Sequence, residues 1–157
     1  MKQCSFITTT SFGTWLPGDA RGYVQKGQLL PPAPKLEKFL SERLSSPPIT
    51  FNTEEQCQLF ESLCQAAQEF NYDLTDVSVE SWHLHWIVTH NDGVRAMVGR
   101  LKNRMRQAIG RGRIWTKGFH FRTLDDDAEL YAARNYIGRH NGVRMINVQL
   151  IPRKPIT

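Results

Sequence analysis

Cysteine is scarce and unpatterned in this chain: Cys4, Cys57 and Cys64 are odd in number, and no CxxC spacing joins any two of them. That excludes a disulfide framework and a zinc ribbon, and it fits a reducing compartment. No apolar run approaches the ~20 residues that cross a bilayer, so no membrane partner is expected. The opening "MKQCSFITTTSFG" also lacks an apolar signal segment, and the expectation is a soluble, cytoplasmic protein. Internal repeats are missing too. The last absence is local: no acidic residue stands between Gly93 and Leu124, although the whole chain carries 15 Asp and Glu against 20 Lys and Arg.

What is present fits one domain spanning residues 1–157. At 157 residues, 40% hydrophobic and 22% charged, the chain can bury a real core. A formal charge of +5 points to a polyanionic partner, or else to an ordinary basic soluble protein; the placement of the charge has to decide.

The hydrophobic pattern predicts the elements in turn. "CSFITTTSF" reads as a strand, and "GTWLPGDARG" after it as a loop. Residues 27–48 have proline-rich edges around "KLEKFLSERL", a short amphipathic helix, and read as an insertion. "TEEQCQLFESLCQAAQEF" starts with a capping-box pattern, Thr53 to Gln56, and sets Cys57, Phe60, Cys64 and Ala67 at helical spacing as core residues. "YDLTDVSVESW" and "SWHLHWIVTH" form a strand hairpin. "GVRAMVGRLKNRMRQAIG" is a second helix, with Met97, Leu101, Met105 and Ala108 as its apolar stripe. "GFHFRTL" reads as a strand, "DDDAELYAARNYIGRH" as a helix capped by Asp126 with Glu129, and "GVRMINVQLIP" as a final short strand. This order predicts an α+β, ferredoxin-like (split βαβ) antiparallel sheet with helices on one face and an additional C-terminal helix.

Where acid is missing, base is concentrated. Arg95, Arg100, Lys102, Arg104, Arg106, Arg111, Arg113, Lys117 and Arg122 all fall in that stretch. Solvated helix faces usually mix signs, so a run of one sign favours a phosphate backbone as partner. Trp115, Phe119 and Phe121 lie beside it and can stack unpaired bases, although aromatics at such positions more often belong to a core.

The strand "SWHLHWIVTH" carries the sharpest signal. A side-chain period of two puts His83, His85, Ile87 and Thr89 on one face and Leu84, Trp86 and Val88 on the other. Two neutral imidazoles side by side can share one cation. Tyr136 and His140, four apart on the last predicted helix, lie on one helical face and offer a further ligand and a phenol. A phenol beside a metal-bound phosphate is a nucleophile for phosphoryl transfer, because it traps the product covalently. His120 alternates with its aromatic neighbours and should face solvent or nucleic acid, while His90 reads as a loop residue.

Together "HLH" in a hydrophobic strand, a basic helix and "IWTKGFHFRTLDDDAELYAARNYIGRH" resemble the HUH single-tyrosine transposases, the insertion-sequence and REP-associated kind, over about residues 77–140. The resemblance implies a ferredoxin-like fold and usually a homodimer. It also implies nicking of single-stranded or hairpin DNA through a 5'-phosphotyrosine and a free 3'-hydroxyl. Carried over by position, His83, His85 and His140 resemble metal ligands and Tyr136 the nucleophile, with the tyrosine of one subunit able to serve the histidines of another. The glycines at 138 and 142 would allow the helix to detach for that purpose. Trp82 stands where many relatives have Asn, and "HNG" replaces an Asn-Pro. Magnesium prefers oxygen ligands and imidazole suits transition metals, so the expected cofactor is a divalent ion, Mg²⁺ or Mn²⁺. The loop Gly13–Gly22 is either a tight turn or a DNA-facing loop offering Asp19 and Arg21. Two other readings are a domesticated module that binds hairpin DNA or RNA without cutting it, and a small zinc hydrolase that needs no tyrosine.

Overall fold

The computed structural model describes residues 2–16, 18–25, 28–44 and 46–146. Strand β1 (Gln3–Thr10) leads into a short hairpin, β2 (Tyr23–Gln25) and β3 (Gln28–Leu30), and then helices α1 (Pro34–Glu42) and α2 (Thr53–Glu69). Strands β4 (Asp73–Val79) and β5 (His83–His90) follow, then helix α3 (Val94–Ile109), strand β6 (His120–Thr123), helix α4 (Asp127–Gly138) and strand β7 (Val143–Ile146). The rest of the predicted last strand lies outside the described residues. Five strands form one antiparallel sheet in the order β6-β1-β5-β4-β7. Taken without β7, this is the split βαβ arrangement that the element order predicts. Among the described residues no helix is long and apolar enough to cross a membrane.

Period-two alternation gives the sheet two different faces. Ile7, Val77, Val79, Leu84, Trp86 and Val88 pack with helices α2 and α3 into the main core. On the opposite face Cys4, Phe6 and Ile87 meet Leu130, Ala133 and Ile137 of α4. The sheet therefore separates the basic helix α3 from the helix that carries Tyr136.

Several local expectations shift. Asn52, not Thr53, caps α2: its side chain accepts from the Glu55 N–H while the Glu55 carboxylate accepts from the Asn52 N–H, a box one residue earlier. The buried stripe of α2 is Leu59, Leu63, Ala66 and Ala67; Cys57 is exposed, because the packing of the sheet rather than the mean apolar period sets the face. In α3 Val98 is buried and Ala108 exposed. His90 is no loop residue: it ends β5, fully buried, bonded to the Ser5 hydroxyl and the Asp92 carbonyl.

Helix α4 begins as its sequence dictates, with the Asp126 carboxylate accepting from the Glu129 N–H. It is fastened to the sheet by a buried ion pair, in which Arg134 Nε donates to Asp76 Oδ2 at 3.0 Å. Removing one partner of such a pair leaves a charge in the interior and costs about 3–5 kcal/mol. Asp76→Ala should therefore lower the unfolding free energy by that amount in urea titration; a change under about 1 kcal/mol would mean the pair does not hold the helix.

Candidate active site

On the face covered by α4, the strand period delivers His83 and His85 next to each other, with ring centroids 4.9 Å apart. The C-terminal end of α4 brings His140 to within 5.6 Å of the first ring and 4.7 Å of the second. One ring nitrogen from each lies within 4.8 Å of the others. Two nitrogens bound to one ion at about 2.1 Å stand roughly 3–3.5 Å apart, so small ring rotations would close the set. Two of the rings are oriented from behind. His140 Nδ1 bonds the Tyr136 carbonyl oxygen at 2.8 Å, and His85 Nδ1 bonds the Thr8 hydroxyl at 2.8 Å, which leaves both Nε2 atoms for a ligand. His83 Nδ1 is buried with no hydrogen-bond partner, a polar atom that an ion would satisfy.

Burial sets the protonation state. It lowers the His85 pKa to about 3, helped by the charges of His83, His140 and His120, and it lowers that of His83 to about 4, helped by His140 and Arg21. Both imidazoles are thus neutral at pH 7, the form that binds metal.

Tyr136 stands beside these rings, 5.1 Å from His85 and 4.8 Å from His140, and edge-on to Phe6 at 5.9 Å. Leu130, Ala133 and Ile137 face the sheet; Arg134 flanks that stripe towards β4, and Tyr136 flanks it towards β1 and β5. His83, His85, His140 and Tyr136 are thus brought together by the fold of a single chain. A cavity of about 530 Å³ joins them to Trp15, Arg21, Trp82 and Arg139.

No local pattern in the chain signals the clasp that closes this site. Gly142 N–H donates to Glu80 Oε1 at 2.8 Å, tying the chain just after His140 to the hairpin just before His83. A Cβ on Gly142 would lie 1.9 Å from the Val79 carbonyl oxygen, so this glycine allows the chain to approach β4 closely. Gly142→Ala should push His140 off the histidine pair and weaken Mn²⁺ binding by about 10–100-fold in a metal titration. Unchanged affinity would free His140 from any dependence on the clasp.

No family model and no curated protein matches this sequence. Among solved structures it is similar to a REP-associated tyrosine transposase bound to a REP hairpin, with a TM-score of 0.52 and 14% identity over 86% of this chain. This chain has the fold of that tyrosine transposase. The match spans 64% of the transposase structure, less than two thirds of its length. A second similar structure, a candidate transposase from Deinococcus radiodurans R1, matches with a TM-score of 0.49 and 10% identity over 90% of this chain and 94% of that one.

Within this fold the basic run is divided. Arg100 is bonded to Asp92 and the Tyr72 hydroxyl, Arg104 to Glu69, and Arg111 to Glu55 and the Thr50 carbonyl. Lys102 turns inward, its Nζ donating to the Thr116 and Gly118 carbonyls, and burial followed by the Arg113 charge lowers its pKa to about 8. Arg106 bonds Asn103, and Arg113 lies over the Phe12 ring. Arg95 and Lys117 are exposed, with no recorded ion pair among the described residues. Trp115 is a core residue whose indole N–H donates to the Lys102 carbonyl; Phe121 is partly exposed. On the histidine side of the sheet the cations are instead Arg21, Arg139 and Arg122, the last facing Phe6 across the β1–β6 pairing, and exposed His120 sits opposite Thr8 beside them.

Proposed function

We propose that this protein cuts and joins single-stranded DNA at hairpins, as a metal-dependent tyrosine transposase. The observation that carries the reading is the phenol of Tyr136 set within about 5 Å of two of the three clustered imidazoles. A divalent ion held by His83, His85 and His140 would withdraw charge from a phosphate in the cavity. Tyr136 Oη attacks the phosphorus and its proton passes to water. The bond from phosphorus to the 3'-oxygen breaks, and that oxygen takes up a proton to leave as a free hydroxyl. The 5'-phosphate stays on the tyrosine, and attack by another 3'-hydroxyl would reverse the step and join a new strand.

Three nitrogen ligands favour Mn²⁺ over Mg²⁺, although phosphate and water oxygens can complete either shell. A homodimer, if formed, would then hold two complete sites and not two half-sites. Of the cations from Arg95 to Lys117, this proposal assigns DNA contact to Arg95 on α3 and Lys117 beyond it, because Arg100, Lys102, Arg104, Arg106, Arg111 and Arg113 already have partners.

The test is to incubate the protein with Mn²⁺ and end-labelled single-stranded hairpins taken from the DNA flanking its gene. A protein-linked label that survives denaturing detergent and appears together with a free 3'-hydroxyl fragment supports the reading. Tight hairpin binding without adduct would leave a DNA-binding module, and hydrolysis without adduct a metal-hydroxide enzyme.

A further inference from the structure

The loop between β1 and β2 brings a charged group to the edge of the same cavity in a fixed orientation. Asp19 takes both the Nε and Nη2 of Arg21, at 2.7 and 2.6 Å, and the Thr14 carbonyl accepts from Nη2 at 2.8 Å. The flat guanidinium lies over Trp82 with its carbon 4.2 Å from the ring centroid, and 5.6 Å from the centroid of Trp15, whose own N–H is tied to the Gly22 carbonyl. Trp82 in turn stacks at a tilt against His83, with 4.1 Å between centroids. Behind the loop, Gly18 sits where a Cβ would fall 2.3 Å from the Ala33 carbonyl oxygen, so the start of α1 buttresses it. Every donor of Arg21 is thereby used except Nη1, which has no partner recorded among the described residues, and the residue lines the cavity with Tyr136, His83 and His85. A guanidinium held this firmly loses little freedom on binding and presents a charge-assisted donor.

We infer that Arg21 is a further catalytic residue, whose Nη1 holds a non-bridging oxygen of the scissile phosphate while Tyr136 attacks. The inference rests on the proposed reading and assigns the loop a part in it. Arg21 makes and breaks no covalent bond: it stabilises the negative charge on the phosphoryl oxygens, which is worth most in a site with little water. The stacked Trp82 keeps the guanidinium plane aimed into the cavity, and the insertion carrying α1 acts as the support of that loop.

The experiment compares wild type, Arg21→Lys and Arg21→Ala in two assays, after thermal unfolding has shown which variants fold. In the first, adduct formation is timed with Mn²⁺ on hairpin DNA carrying either a normal scissile phosphate or one of its two phosphorothioate diastereomers. Expected is a fall of about 100-fold or more for Arg21→Ala, with partial recovery in Arg21→Lys. One diastereomer should also slow wild type but not Arg21→Ala, a signature that a purely structural loop residue would not give. In the second, binding of the same single strand is followed by tryptophan fluorescence in EDTA, where Arg21→Ala should weaken it at least about tenfold. Normal adduct rates in Arg21→Ala, with wild type active, would overturn the role of Arg21 and leave the tyrosine chemistry standing. If wild type forms no adduct but binding still depends on Arg21, cleavage fails and the phosphate contact survives; binding independent of Arg21 would sink the contact as well.

Discussion

Tyr136→Phe should bind single-stranded hairpin DNA as wild type does and form no covalent adduct. Only the phenolic oxygen can make the bond to phosphorus, and loss of a nucleophile that no neighbour replaces costs at least about 10⁴-fold in rate. The substitution is otherwise mild: Tyr136 is partly exposed, its hydroxyl has no recorded hydrogen bond among the described residues, and the edge-on contact with Phe6 needs only the ring. Unfolding should shift by less than about 0.5 kcal/mol, the usual range at a surface position. An adduct from the phenylalanine variant at wild-type yield would move the nucleophile elsewhere, and Tyr131, exposed on the same helix, would be the next residue to change.

Losing the imidazoles should have an effect of similar size by a different route. In the double variant His83→Ala, His85→Ala, only His140 of the cluster is left, and Mn²⁺ affinity should fall by well over 100-fold, beyond the upper end of what loss of an orienting partner costs. The readout need not be catalytic. Metal at 100 times its dissociation constant adds about 2.7 kcal/mol to the stability of a protein that binds it only when folded, so wild type should melt at a higher temperature with Mn²⁺ and the variant should not. EDTA should remove the shift and the adduct together. If the variant kept its metal-dependent stabilisation, the three histidines would be a packing cluster and the ion would bind elsewhere.

The parts of this molecule legible in its sequence are those that depend on local period. Alternation along the strand set His83 and His85 on one face, and four-residue spacing set Tyr136 and His140 on another, before any fold was known. The order of the main-sheet strands and the helices was equally readable, whereas the short hairpin β2–β3 was not. What escaped depends on contacts far apart in the chain. Glu69 and Glu55 reach Arg104 and Arg111 across separations of 35 and 56 residues, so a run that reads as one-signed in sequence is partly neutralised in space. Gly142 resembled a hinge because its neighbours in sequence do not reveal that the Val79 carbonyl lies against it. Arg21 could be named as a charge that a DNA-facing loop would offer, but neither its stacking on Trp82, 61 positions later, nor its place in the cavity has a local signature.

The seating of α4 restricts how its length can vary. Arg134 and Tyr136 occupy opposite flanks of the buried stripe, one locked to Asp76 and the other turned to the histidines. Each residue of an α-helix advances the chain by about 100° and 1.5 Å. A single insertion or deletion between the two would keep every side chain of the site yet swing the phenol a quarter-turn or more from the imidazoles. Exposed positions such as Ala132 and Asn135 are open to substitution, but the spacing from anchor to phenol is not. Natural variants of this helix should therefore differ in residue identity while sharing one residue count between Asp126 and His140.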